Sequence, residues 1–267
     1  MKWSEEAEKR IKKVPFFIRK RVRKEVEKEA RSQGASIVLS EHLDSCRERY
    51  MSGQEHQTRG HEIDQCFGAD GCPNSAADLT GISERLEGLL KSHKLREHLL
   101  KTVSGPLKMH HAFRVSISGC PNACSRPQIV DFGLIGASVP ALHPEKECTG
   151  CRLCLKSCRE EAISLDKDGK IQAIDPKRCL FCGSCAKVCK PKCITIERTG
   201  FRVLLGGKLG RHPQLAAELP GIYSPDEVFR ILDLTLAHFK EHGGGPRRLG
   251  EILNRTGLGY LDTLLEP

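Results

Sequence analysis

Apolar residues recur along this chain at two different periods, and the alternation between them sets out the expected elements. Residues 4–33 show helical spacing interrupted at Val14-Pro15, with Ser4 as a plausible N-cap and Pro15 ending or kinking the first helix. Ile18, Val22, Val26 and Ala30 lie four apart, a narrow stripe on a very basic helix that stops at Gly34. A third helix is predicted after Ser40, carrying Leu43 and Cys46. Residues 53–75 are polar and Gly-rich and read as loop. Residues 82–101 read as one helix, with Ile82, Leu86, Leu89 and Leu90 on a common face. Residues 113–118, FRVSIS, alternate like a strand and lead into Gly119-Cys120. Further strands are expected at 129–135 and 201–205. A last long helix opens at Ser224-Pro225-Asp226-Glu227, which combines an N-cap, a proline at the first helical position and a capping-box glutamate. Val228, Ile231, Leu232, Thr235 and Phe239 keep its period until Gly243. Interleaved strands and helices define the expected class as α/β (α+β).

Composition narrows the function. The 267 residues are 39% hydrophobic and 29% charged, which suits a globular chain with a real core. No run approaches the ~18 apolar residues of a spanning helix, and MKWSEEAEKR has no apolar signal core. The expectation is a cytoplasmic protein without a membrane span. The net charge is +9, of which residues 1–31 carry +6.

The 14 cysteines change the picture most. Twelve fall into three groups, 66/72/120/124, 148/151/154/158 and 179/182/185/189, leaving Cys46 and Cys193. Scattered bridges do not space this way, and no export signal points to an oxidising compartment. If the twelve hold three 4Fe–4S clusters at about −2 each with their thiolates, the basic excess balances the protein's own cofactors. Nucleic acid is then not expected as a partner.

Cys148, Cys151, Cys154 and Cys158 follow Cys-x2-Cys-x2-Cys-x3-Cys, and Cys179, Cys182, Cys185 and Cys189 repeat it 31 residues later. Loops of this spacing wrap three thiolates around one cubane and direct the fourth to the other cluster. One cluster is therefore expected on Cys148, Cys151, Cys154 and Cys189, and the other on Cys179, Cys182, Cys185 and Cys158. Zinc, which takes thiolates in pairs, fits tandem quartets poorly. The block resembles the bacterial two-cluster ferredoxin family over about 50 residues, although Cys158 is followed by Arg159 where that family has proline. Cys193 takes the place of a small core residue.

Cys66-x5-Cys72 with Cys120-x3-Cys124 has a different spacing. Together with FRVSISGCPNACSRPQIVDFGLIG at 113–136 and FRVLLGGKLGRHP at 201–213, it resembles the siroheme and 4Fe–4S domain of sulfite and nitrite reductases. The inserted ferredoxin block is an arrangement shared with dissimilatory and anaerobic sulfite reductase subunits. The resemblance implies that Cys66, Cys72, Cys120 and Cys124 hold a third cluster and that Cys124 also ligates the siroheme iron. Siroheme has eight carboxylates, for which Gly206, Gly207, Lys208, Gly210 and Arg211 offer a Gly-rich nest and two cations. A hairpin turn with solvated Lys and Arg is the alternative for that segment. The first residues, WSEEAEKRIKKVPFFIRKRVRKEVEKEA at 3–30, resemble the C-terminal helical segment of one component of the light-independent protochlorophyllide reductase family.

The expected layout is a helical segment at 1–52, a siroheme/4Fe–4S domain at 53–140 and 198–267, and an inserted two-cluster ferredoxin domain at 141–197. Where sulfite and nitrite reductases place a preceding half-domain, residues 1–50 here are expected to hold the helical segment instead. Candidates for binding and protonating an oxyanion are Arg59, Lys108 and Arg114, with His61, His110 and His111 nearby in sequence. The implied function is a sulfite/nitrite reductase-like oxidoreductase in which ferredoxin clusters feed a 4Fe–4S–siroheme centre. The alternative is a non-catalytic three-cluster electron-transfer subunit without siroheme. An electron-donor protein and a small oxyanion are the expected partners, within a homo-oligomer or a reductase complex.

Overall fold

The structure, a computed structural model, describes residues 1–57, 59–243 and 247–262, with the side chains of 49–57 and 69 left aside. The chain forms two compact units. The first joins Met1–Arg59 to Gly105–His110, and the second contains the remaining described residues.

In the first unit, β1 (Lys2–Trp3), α1 (Glu5–Lys12), α2 (Phe16–Ser32), β2 (Ile37–Val38) and α3 (Ser40–Gln57) follow one another, with β1 and β2 pairing in parallel. Ser4 caps α1 by accepting from the Ala7 N–H at 3.2 Å, and Pro15 stands at the start of α2. Ala7, Val26, Ala30 and Val38 form the buried centre, with Trp3, Val22 and Leu43 against it. The predicted stripe on α2 is shorter than its period suggests, because Ile18 is 40% exposed beside Phe16 and Phe17, which are more exposed still. Ion pairs tie the charged faces together. Arg10 meets Asp44 at 2.5 Å, Arg23 meets Glu8 at 2.6 Å, and the Arg23 guanidinium lies 4.4 Å from the centre of the Trp3 ring.

The second unit is built on a five-stranded sheet. Its members are β3 (His61–Gln65), β4 (Phe113–Ser118), β5 (Phe132–Leu142), then β8 (Ile194–Leu205) and β9 (Ala217–Glu218), adjacent in that order. Strands β3, β4 and β5 are parallel; β8 runs antiparallel to β5, and β9 to β8. Strand β4 is flanked on both sides, so five of its six residues are buried, and its two serines lie inside with its apolar side chains. Strand β3 lies within the stretch read as loop. Its HEIDQ sequence is polar, and pairing with the ready-formed edge of β4 makes it a strand.

The 82–101 helix is two helices, α4 (Ile82–Ser92) and α5 (Leu95–Thr102). Lys94 between them is left-handed (φ 49). The break is anchored from α8 (Pro225–His242): Asp233 bonds the His93 ring at 2.7 Å, and Lys240 donates to the His93 carbonyl at 3.4 Å. Leu86 and Leu90 on one helix and Leu95 and Leu99 on the next are all buried, so each piece keeps an apolar face. Helix α8 begins with the predicted capping box, in which Glu227 accepts from the Ser224 N–H at 2.7 Å. It brings Phe239 edge-on to Phe113 of β4, with ring centres 5.3 Å apart.

Strands β5 and β8 are much longer than the sequence pattern indicates. Their ladder runs from Phe132↔Leu205 to Leu142↔Ile194, with one irregularity at Val139/Pro140, where proline has no N–H to give. Between the far ends lie α6 (Leu153–Ser157), β6 (Ile163–Leu165), β7 (Ile171–Ile174) and α7 (Ser184–Val188). Helix α9 (Leu249–Thr256) closes the other end.

Asp131 locks that closure. It is fully buried and accepts from Arg248 Nε at 3.0 Å, from Arg248 Nη2, from the Leu249 N–H at 3.2 Å and from the Arg114 N–H at 2.8 Å. One carboxylate therefore joins β4 to the start of α9. Removing one partner of a buried pair leaves the other charge without compensation, which typically costs about 3–5 kcal/mol. Arg248→Ala is expected to lower the unfolding free energy of anaerobically handled protein, measured by denaturant titration, by that order, whereas Arg247→Ala is expected to leave it nearly unchanged.

Candidate metal centre

The cysteine-dense block repeats in its backbone as well as in its sequence. Left-handed residues occur at Gly150 and Phe181, at Arg152 and Gly183, and at Glu161 and Lys192, each pair 31 positions apart. Four of the six carry side chains, and an L residue pays about 1–2 kcal/mol for this conformation. Such strain persists where the surroundings over-determine it, and it clusters at binding sites. Arg152 and Gly183 open α6 and α7, so each cysteine loop turns sharply into one short helix.

Two cavities lie between these loops. The first is lined by Cys148, Cys151, Cys154 and Cys189 together with Cys193, Leu165 and Ile171. The fourth cysteine of the set therefore comes from the other repeat. The second is a larger cleft, lined by Cys179, Cys182, Cys185 and Cys158 together with Pro73, Asn74 and Cys120.

The electrostatics follow the same grouping. Burial pushes the Cys154 thiol up, and Cys148, Cys189 and Cys151 push it further. Burial drives Cys185 up to about 12, with Cys179, Cys182 and Cys158 adding to the effect. These sets would repel one another as bare thiolates, and bound cations remove that penalty. No three or more His, Cys, Asp or Glu side chains among the described residues are placed to hold a single metal ion. The quartets line cavities instead, an arrangement suited to a multi-atom guest. Cys193 is buried beside Cys189 and Cys148 in the first cavity.

The third quartet is assembled by the parallel strands. Pairing of Gln65 with Ile117 brings the carboxyl ends of β3 and β4 side by side. Cys66 follows one strand and Gly119-Cys120 the other, the usual place for a ligand in a sheet with parallel strands. The Cys66 N–H donates to the Ile117 carbonyl at 2.9 Å, and Cys66 Sγ accepts from the N–H groups of Gly119 at 3.1 Å and Gly68 at 3.3 Å. Cys120 is buried. Desolvation raises its pKa, and Cys124, Cys66 and Cys72 raise it further. Cys124 is exposed at the outer side of the loop.

Sequence reasoning missed the serines that hold this loop. Ser116 Oγ donates to the Ser125 carbonyl at 2.6 Å, Ser118 and Ser125 bond through their hydroxyls at 2.7 Å, and Ser125 Oγ lies 2.8 Å from the Ile117 carbonyl. All three are buried, so Cys124 is tied to β4 by its neighbour in the chain. Two serines in an otherwise apolar strand were the available signal.

The other predicted site residues are distributed unevenly. Lys208 and Gln214 form a hairpin through reciprocal main-chain bonds of 2.9 Å, with Gly210 and Arg211 at its exposed tip. Ala216 N–H donates to the Gln128 carbonyl at 2.8 Å, which sets this hairpin against the segment following Cys124. Gly207 is glycine because a Cβ there would lie 2.4 Å from the Gln128 carbonyl oxygen. Gly206 is left-handed and packed on Gly250. Lys208 is committed to Glu251 at 2.5 Å and largely buried. The segment is thus a hairpin, with Arg211 exposed at its tip. Arg114 sits at the amino end of β4, six residues before Cys120, and pairs with Glu62 at 3.3 Å. At ~3.3 Å per strand residue it is not brought to the cysteine cradle. His61 bonds Glu87 at 3.0 Å at the same end. Arg59, Lys108 and His110 belong to the first unit and His111 to the second.

Fold and cysteine arrangement together describe a redox protein of the iron–sulfur type. The chain belongs to the family described as nitrite and sulphite reductase 4Fe-4S domain, whose pattern matches residues 59–266. Residues 3–47 match the family described as proto-chlorophyllide reductase 57 kD subunit. Among relatives, the coenzyme F420-dependent sulfite reductase of Methanocaldococcus jannaschii is 36% identical over 204 residues, covering 75% of this chain and 30% of its own length. The C subunit of the anaerobic sulfite reductase of Salmonella typhimurium is 29% identical over 204 residues, 74% of this chain and 56% of its own. The chain therefore spans between about a third and somewhat over half of these relatives. The B subunit of the light-independent protochlorophyllide reductase of Pelodictyon phaeoclathratiforme is 63% identical over 38 residues, 14% of this chain and 7% of its own. The crystal structure of dissimilatory sulfite reductase I superposes with a TM-score of 0.51 at 20% identity, over 75% of this chain and 51% of that one. The mixed α/β class expected from the sequence is the fold observed.

The cavity linings separate two ways of pairing the ferredoxin-type cysteines. Cys189→Ser is expected to abolish the signal of the cluster on Cys148, Cys151 and Cys154, and Cys158→Ser that of the cluster on Cys179, Cys182 and Cys185. Electron paramagnetic resonance of each reduced variant checks this; loss of the cluster belonging to the mutated repeat would reverse the assignment.

Proposed function

We propose that this chain carries electrons through three 4Fe–4S clusters to a siroheme centre that reduces a sulfur or nitrogen oxyanion, as one component of a sulfite reductase-type assembly. One observation carries the reading. The cleft lined by Cys158, Cys179, Cys182 and Cys185 is also lined by Cys120 of the third quartet. This favours the order Cys148/Cys151/Cys154/Cys189, then Cys158/Cys179/Cys182/Cys185, then Cys66/Cys72/Cys120/Cys124.

The donor sets fit the groups assigned to them. Cavities walled by four thiols suit cubane clusters, and main-chain N–H bonds to Cys66 stabilise negative charge on its sulfur. Cys124 combines exposure with an anchored backbone, which suits a thiolate shared between a buried cluster and an outer macrocycle. Gly206, Gly207 and Arg211 are the proposed contacts to macrocycle carboxylates, whereas Lys208 is engaged in its ion pair with Glu251. When bound, siroheme supplies the open iron face at which the oxyanion is reduced. Of the cations expected from the sequence for that oxyanion, Arg59 and Lys108 belong to the first unit, and Arg114 is engaged in its ion pair with Glu62. No helix among the described residues is long and apolar enough to cross a membrane. The chain is proposed to work beside a separate subunit or a second copy of itself, since closed two-fold oligomers are the commonest kind.

Anaerobic iron and sulfide analysis is expected to give about twelve irons per chain from three 4Fe–4S clusters, with one more from siroheme. A chlorin-type absorption band near the red end of the spectrum supports siroheme; broad brown absorption alone leaves an electron-transfer protein without it. Cys124→Ser is expected to perturb both the third cluster and the macrocycle spectrum, and Cys182→Ser only a ferredoxin cluster. Equal responses of the red band to both substitutions would remove the shared-thiolate assignment.

A further inference from the structure

The inserted block and the sheet that carries it meet at a small set of polar contacts with a common geometry. Ser138 of β5 is buried and faces both sides of the junction. Its N–H donates to the Phe181 carbonyl in the second cysteine loop at 2.6 Å, and its hydroxyl donates to the Ala76 carbonyl at 2.6 Å. Lys187 of α7 makes the second tie, reaching across to the carbonyls of Pro73 at 3.1 Å and Ser75 at 3.2 Å. Those receiving carbonyls belong to the turn that leaves Cys72. The Ser75 N–H returns to the Cys72 carbonyl at 3.0 Å, and the Ala76 N–H to the Gly119 carbonyl at 2.7 Å, next to Cys120. Close approach has also removed a side chain: a Cβ on Gly183 would lie 2.8 Å from that of Ser138.

We propose that Ser138 and Lys187 are positioning residues that clamp the Cys179–Cys189 loop onto the Cys72–Cys120 cradle and thereby fix the gap an electron crosses between them. This rests on the reading above that both cradles hold clusters. Three of the four contacts end on main-chain carbonyls of the cradle turn, so they register the position of that turn and not of a mobile side chain. Lys187 also places a positive charge between two anionic sets, which opposes their separation by repulsion. The step itself is one electron leaving the reduced cluster on Cys158/Cys179/Cys182/Cys185 and reducing the oxidised cluster on Cys66/Cys72/Cys120/Cys124. No bond or proton moves, and a one-electron donor such as dithionite refills the first cluster.

The test uses anaerobic holoprotein of the full chain as Lys187→Gln, Lys187→Arg and Ser138→Ala, each first matched to the parent in iron content. In the reduced parent, the two neighbouring clusters are expected to show mutual spin broadening in their resonance spectra. Lys187→Gln and Ser138→Ala should weaken that broadening and slow inter-cluster transfer, followed by rapid freezing, because the gap is then no longer held. Lys187→Arg should restore both. Unchanged broadening and rate in Lys187→Gln at full iron content would overturn the proposal. Lys187 is exposed, so its variants decide the matter even where Ser138→Ala fails to fold. A parent protein with only about eight irons would instead remove the third cluster, and with it the reading on which the clamp rests.

Discussion

The antiparallel ladder of β5 with β8 is the constraint on which the rest of the second unit depends. Its near end, Phe132↔Leu205, is buried in the sheet, and its far end, Leu142↔Ile194, is part of the core beneath the cysteine loops. An insertion joined only by a flexible linker would leave inter-cluster distance to chance. Here two strands run unbroken from one cysteine environment to the other, so hydrogen bonds between strands set the separation. Ser138 lies along this ladder, and the bridge between Ser138 and Cys182 ties the second loop directly to the strand.

Charge is the second organising force. Burial and repulsion from neighbouring cysteines raise the thiols of Cys120, Cys154, Cys179 and Cys185, whereas the Leu153 N–H and Thr149 lower that of Cys151. Some buried cations are already matched elsewhere: Arg248 serves Asp131, and Lys208 serves Glu251. The chain thus keeps its internal ion pairs apart from the cysteine cradles. The thiolates are left to be balanced by whatever occupies the cavities.

Much of the site was legible in the sequence because cysteine spacing is a local property. A Cys-x2-Cys-x2-Cys-x3-Cys run can surround a cubane only by a tight loop and a short helix, and the 31-residue repeat demands the same backbone twice. Positive φ at 150/181, 152/183 and 161/192 shows the repeat carried down to single residues. The capping box at Ser224 was equally local, since its partners lie three positions apart. Strand lengths were not, because the outer half of β5 contains Pro140 and that of β8 the polar run Glu197-Arg198-Thr199, and both become strand by pairing with each other. Likewise β3 needed β4, and the break at Lys94 needed Asp233 and Lys240 from a helix some 140 residues away.

Sequence by itself therefore determined the α/β class, the family resemblance and which cysteines form each set, since these follow from residue type and short spacing. Tertiary structure alone decided which side chains serve the sets and which serve the fold. It drew Arg114 to Glu62 at the wrong end of β4, committed Lys208 to Glu251, and gave Ser118, Ser125, Ser138 and Lys187 their contacts around the cradles. The physical reason is range. A thiolate's partners in a cluster loop are fixed within a few bonds of chain, whereas a hydroxyl or an ammonium binds whichever carbonyl or carboxylate the folded strands carry within about 3 Å of it.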